Sequence, residues 1–227
     1  MQGSEGSLYV IYLTSPLPRE GTRPLAMIDF ELTADRIDYR GCDTLLFTSK
    51  QAVRSAEAID PEWKRLPAVA IGPATEREIL ALGGRVLHRP QKFYAKELAK
   101  DLAELFRERS LLYLRPEKVS FDTRGFLKRA GIELKEQIIY RTFCRGYMPE
   151  EAPEPGSIIV FTSPSTIHCF LENFSWDESY TAVVIGEATL EHLPPGCRCV
   201  IAREPSIDAC LEKAHAVASG AILPDTK

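Results

Sequence analysis

A chain of 227 residues, 44% apolar and 26% charged, has the length and composition of an ordinary globular protein of one or two domains. Its net charge of −4 excludes a general attraction to nucleic acid or to an anionic membrane, although a helix dipole can still draw in an anion locally. No apolar run approaches the roughly 20 residues that span a bilayer, and Met1–Ser7 lacks both parts of a signal peptide, so the reading is a cytoplasmic protein behind a disordered leader or an expression scar.

Leu8–Leu13 reads as a buried strand of β-forming residues, broken by Thr14-Ser15-Pro16-Leu17-Pro18. Arg23–Leu32 reads as a second extended stretch, too close to the first for a full crossover helix. From Thr44 the pattern is regular. Thr44–Thr48 is a strand, and Ser49 caps a helix to about Ala58. Ala68–Ile71 is a strand, followed by a helix with Pro73 at its first position that Gly83-Gly84 stops after Leu82. Strands are expected at Arg85–His88, Ser110–Leu114 and Ile132–Thr142, and helices at Ala95–Arg107 and Val119–Ala130. After the Pro- and Glu-rich loop Gly146–Gly156 come strands Ser157–Phe161, Thr181–Ile185 and Arg198–Ala202. Helices follow them at Pro164 to about Leu171, at Ala188–Leu193 and at Ser206–Ala218. Alternating strands and helices with short connections predict an α/β fold of doubly wound parallel sheets.

One register runs through the chain twice. The same offset of 114 residues links Phe47-Thr48-Ser49 to Phe161-Thr162-Ser163, Ile71-Gly72 to Ile185-Gly186, Thr75 to Thr189, and Val86 to Val200. A period this long means a duplicated domain. In both copies a strand ends in Ser, Thr or Gly where a helix begins. Helix N-termini carry unpaired N–H groups and about half a positive charge, so they hold carboxylates or phosphates without a lysine. Thr48, Ser49, Thr75, Thr162, Ser163, Ser165 and Thr189 add hydroxyls there, and Gly72 and Gly186 allow close approach to the backbone. Taken singly each hydroxyl is as easily an ordinary cap; in duplicated register they form a candidate anion site.

There is no G-x-G-x-x-G, P-loop, G-x-S-x-G or H-E-x-x-H sequence. The histidines His88, His168, His192 and His215 make no ligand spacing. Six cysteines (Cys42, Cys144, Cys169, Cys197, Cys199, Cys210) include no C-x-x-C pair and read as reduced thiols; Cys197-Arg198-Cys199 is poor spacing for zinc.

The pieces Phe47-Thr48-Ser49-Lys50-Gln51-Ala52-Val53, Ile71-Gly72-Pro73-Ala74-Thr75, Tyr113-Leu114-Arg115-Pro116, Ile139-Tyr140-Arg141-Thr142, Val160-Phe161-Thr162-Ser163-Pro164-Ser165 and Val184-Ile185-Gly186-Glu187-Ala188-Thr189, in this order and spacing, resemble the uroporphyrinogen-III synthase family. Two departures stand out. Thr14-Ser15-Pro16 replaces the Thr-Arg-Pro that usually follows the first strand, and Pro116-Glu117-Lys118-Val119-Ser120 replaces a glycine-rich turn bearing a second arginine.

The resemblance implies two α/β lobes joined by two extended strands, with a substrate cleft between them. Residues 1–30 plus 143–227 would form lobe 1 and residues 31–142 lobe 2, with the crossings near Ile28–Thr33 and Ile139–Phe143. It implies a cofactor- and metal-independent lyase that removes water from hydroxymethylbilane, closes the ring and inverts the last pyrrole. The hydroxyl-rich turns would bind the substrate's carboxylates, Tyr140 would assist departure of its hydroxyl, and Lys50, Arg115 and Arg141 would be cationic helpers. The expected partner is a linear tetrapyrrole, with no nucleic acid and no membrane, and the chain acts as a monomer. A non-enzymatic two-lobed binder or sensor would share the architecture, and a methyltransferase or nucleotide-dependent enzyme is a third reading. The last of these needs a glycine-rich loop after the first strand, where Thr14–Pro18 stands.

Overall fold

The structure, a computed structural model, describes residues 9–16 and 18–227. The readings of Leu8, Leu17 and the Met1–Ser7 leader lie outside the described residues. The chain divides into two compact units, one of residues up to Asp29 with Phe143–Lys227 and the other of Phe30–Thr142.

In the first unit, strands β1 (Ile11–Leu13) and β2 (Arg23–Pro24) pair in parallel without a helix among the described residues between them. Later in the chain come β9 (Ile158–Phe161), α5 (Pro164–Asn173), β10 (Thr181–Val184), α6 (Glu187–Leu190), β11 (Arg198–Ile201), α7 (Ile207–Ala218) and β12 (Asp225–Thr226). The sheet order is β12-β11-β10-β9-β1-β2, parallel except for the β11–β12 pair. β9 shows why the sheet is double-sided. Ile159 and Phe161 point into one core with Ile167 and Phe170 of α5, while Ile158 and Val160 point into another with Cys210 and Ala214 of α7.

The second unit holds β3 (Ile28–Leu32), β4 (Thr44–Phe47), α1 (Lys50–Ile59), a 3₁₀ turn at Pro61–Arg65, β5 (Ala68–Ala70), α2 (Pro73–Ala81), β6 (Val86–His88), α3 (Ala95–Leu105), β7 (Leu111–Pro116), α4 (Thr123–Arg129) and β8 (Leu134–Cys144). β3 and β8 each run through the boundary between the units. Its sheet order is β3-β8-β7-β4-β5-β6. Leu45 and Phe47 of β4 face a core with Ala52 and Val53 of α1, and Leu46 faces another with Leu98, Leu102 and Leu127. Gly83 and Gly131 end α2 and α4 at φ 86° and 76°, a conformation that suits glycine. In each case the next residue's N–H reaches back five residues, from Gly84 to Ile79 and from Ile132 to Leu127.

Four features differ from the sequence reading. The helix expected from Val119 begins at Thr123, because the Asp122 carboxylate accepts the Gly125 N–H (2.8 Å) and caps it there. The helix expected over Ala188–Leu193 is a single turn, Glu187–Leu190, and Pro194-Pro195 follows it closely. An antiparallel edge strand, β12, was not visible in the sequence. The cysteines are not all reduced: the end of β8 passes α5, and Cys144 and Cys169 form a disulfide. Their separation of 25 residues carries no local motif, and only the tertiary contact brings them together. Cys42, Cys197, Cys199 and Cys210 are free.

Candidate active site

In both units the hydroxyl-rich turns lie outside the carboxyl ends of parallel strands, where open α/β sheets place their ligands. In the Phe30–Thr142 unit, β4 is the strand at which chain order reverses, with β5 and β6 on one side and β7 and β8 on the other. Thr48 and Ser49 follow it directly. Ser49 caps α1 by accepting the Ala52 N–H (3.0 Å), and its hydroxyl also meets the Tyr140 hydroxyl at 2.9 Å. The Thr48 hydroxyl meets that of Tyr113 at 2.7 Å. Tyr113 and Tyr140 come from the neighbouring strands β7 and β8 and are 3% and 4% exposed. Burial pushes both phenols above their ordinary pKa, against a smaller lowering by the Thr48 and Ser49 hydroxyls, so both remain protonated near neutral pH. Phe30 packs edge-on against Tyr140, with centroids 5.9 Å apart, and holds the ring.

Gly72 caps α2 through its backbone, with Phe93 packed over its Cα. Thr75 follows in the first turn of α2, and its equivalent Thr189 lies in α6; each is 3% exposed. Neither hydroxyl bonds to another described residue, and neither oxygen is sealed from solvent.

In the other unit, Ser163 and Thr166 form a self-contained capping box. Thr166 N–H donates to the Ser163 hydroxyl and Ser163 N–H to the Thr166 hydroxyl, each at 3.3 Å. Thr162 is half-buried beside it and Ser165 is exposed on the first turn. Gly186 precedes α6, with no protein atom within 4 Å of where a Cβ would stand.

The expected cationic helpers sit differently from one another. Lys50 opens α1. Arg115 is largely buried, donates to the Pro116 and Glu117 carbonyls at 2.9 and 3.0 Å, and lies 3.5 Å from Glu136. Arg141 forms an exposed pair with Glu31 at 2.6 Å. Both arginines are thus engaged within the protein. Tyr113 was missed by the sequence reading. The available signal was a tyrosine in a strand apolar on both faces, since a buried phenol needs a polar partner. Cys144, Cys169 and Glu172 are the one metal-compatible cluster among the described residues, but both sulfurs are spent on the disulfide. No helix among the described residues is long and apolar enough to cross a membrane.

A family model described as Uroporphyrinogen-III synthase HemD matches residues 22–212. No curated protein matches the sequence. Among solved structures, the fold is similar to that of the uroporphyrinogen-III synthetase from Helicobacter pylori 26695. The TM-score is 0.77 at 24% identity, over 92% of this chain and 99% of that one. A mutant uroporphyrinogen III synthase from the extremely thermophilic bacterium Thermus thermophilus aligns at TM-score 0.57 and 15% identity, over 94% of this chain and 100% of that one.

Proposed function

Because the chain belongs to the uroporphyrinogen-III synthase family and shares its function in tetrapyrrole synthesis, we propose a specific division of labour for its residues. The enzyme is a cofactor-independent lyase acting on hydroxymethylbilane. Its turns at Thr48-Ser49, Gly72 to Thr75, Thr162 to Ser165 and Gly186 to Thr189 take the substrate's carboxylate arms on backbone N–H groups and hydroxyls. Residues 1–30 with 143–227, and residues 31–142, act as the two lobes that carry these two sets of turns.

Tyr140 does the proton work. The substrate's terminal hydroxyl leaves as water, taking a hydrogen bond or proton from the phenol, and the resulting azafulvene is the electrophile. Ring closure at the last pyrrole and its inversion expel one proton, which restores the phenol. The observation that carries this reading is the 2.9 Å contact between the Tyr140 and Ser49 hydroxyls. It orients a buried, protonated phenol beside a helix N-terminus, where carboxylates are held. Lys50, Arg115 and Arg141 shape the potential around the turns; the latter two do so from within ion pairs.

The experiment is incubation with enzymatically generated hydroxymethylbilane, followed by separation of the cyclic isomers. Type III product is expected. Formation of type I product alone, as the substrate gives by spontaneous closure, contradicts the reading.

A further inference from the structure

At the carboxyl end of β4 and β7 lies a cavity of about 190 Å³. Five hydroxyl side chains line it (Thr48, Ser49, Tyr113, Ser120 and Thr123), together with a single charged residue, Lys118. The lining contains no carboxylate. Lys118 has no carboxylate partner among the described residues, whereas nearby Arg115 is already engaged with Glu136. The cavity is smaller than the roughly 300–1,000 Å³ that encloses a whole small-molecule ligand, so it suits a side arm.

Proton counting sharpens the picture. The Thr48 and Tyr113 hydroxyls carry two protons between them, and their 2.7 Å contact uses one. The other, on whichever of the two hydroxyls accepts, has no acceptor among the described residues. One spare hydroxyl proton of the Thr48–Tyr113 pair, the ammonium of the exposed Lys118 and the N-terminus of the ten-residue α1 thus converge on one small space. Lys118 reaches it from the connection between β7 and α4.

We propose that this cavity is a subsite for one acidic arm of the substrate, with Lys118 supplying the charge and the Thr48–Tyr113 pair donating the hydrogen bond that orients it. The proposal rests on the function proposed above and assigns Lys118 and Tyr113 as specificity-determining residues of that same site.

The test is steady-state kinetics with enzymatically generated hydroxymethylbilane on Lys118→Met, Lys118→Arg and Tyr113→Phe, with the unfolding midpoint of each as a check on folding. Loss of a charge-assisted contact should raise KM about five- to tenfold in Lys118→Met while kcat stays within about twofold. Lys118→Arg should restore KM, and Tyr113→Phe should raise it about two- to fivefold. An unchanged KM in Lys118→Met, or equal losses in the Met and Arg variants, overturns the subsite while leaving the enzyme's function standing. A wild-type protein that yields only type I product overturns the functional reading and the subsite with it.

Discussion

The two copies of one turn have diverged in what supports their hydroxyls. After β4, Thr48 and Ser49 are tied to Tyr113 and Tyr140 from neighbouring strands, across 65 and 91 residues of sequence. After β9, Thr162 and Ser163 occupy the same register, but the cap closes on itself through Thr166 and no tyrosine among the described residues reaches it. The second turns differ as well: α2 has nine residues and α6 only four, so α6 carries the weaker dipole. If both turns grip substrate as proposed, only the one after β4 has buried phenols bonded to its hydroxyls among the described residues. A helix N-terminus can hold a carboxylate anywhere, but moving a proton needs a side chain whose position and protonation state are fixed from a second element.

The largest expected effect is on the phenol. Tyr140→Phe should fold normally and bind product as the wild type does. It should form type III product about 10²-fold more slowly in a single turnover, the lower end for general acid catalysis, because this hydroxyl leaves readily. An unchanged rate would reduce Tyr140 to packing. Next comes Thr75→Ala/Thr189→Ala, which removes one open hydroxyl from each copy. At about 0.5–1.5 kcal/mol for each lost hydrogen bond, kcat/KM should fall about 5- to 150-fold. Wild-type kinetics in that double variant would remove both threonines from the site.

Smaller effects separate the copies by their glycines. A Cβ on Gly72 would stand 3.3 Å from the Phe93 Cβ, whereas one on Gly186 meets nothing within 4 Å. Gly72→Ala should lower the unfolding midpoint, whereas Gly186→Ala should leave it unchanged and raise KM if substrate approaches that backbone. Equal midpoints for the two variants would remove the difference.

A pH titration distinguishes the units by stability. Burial pushes Cys197 and Cys210 up to about 11 from an ordinary 9.0. Their protonated thiols stabilise the fold fully below pH 9, and that contribution is lost as pH rises from 9 towards 11. The Phe30–Thr142 unit holds only the half-buried thiol of Cys42, and its raised phenols start from 10.0. The unit containing Trp176 should therefore lose urea stability between about pH 9 and 10 more than the unit containing Trp63. Trp63→Phe and Trp176→Phe fluorescence would follow each separately, and equal losses would contradict the assignment.

Much of the fold was legible because its determinants are local. Ser49, Pro73, Gly83, Gly131 and Ser163 start or stop helices by what they do within one turn of chain. Where a local signal was misjudged, as with Asp122, a helix start moved by one turn. Of the candidate site, the hydroxyls were legible, because they lie in those same turns, but their partners were not. Tyr113 reaches Thr48, Glu136 and Glu31 engage Arg115 and Arg141, and Cys144 meets Cys169 only through sheet order and helix packing. No spacing encodes those meetings.

The central claim is that the turn after β4 carries chemistry while its copy after β9 only grips. Ser49→Ala and Ser163→Ala remove the same helix cap, at about 1 kcal/mol of stability each, so they form a matched pair. Under single-turnover conditions with saturating hydroxymethylbilane, Ser49→Ala should slow the limiting rate of type III formation, because it strips the partner that orients Tyr140. Ser163→Ala should leave that rate at the wild-type value and weaken only substrate binding. Equal slowing in both variants, or greater slowing in Ser163→Ala, would contradict the division.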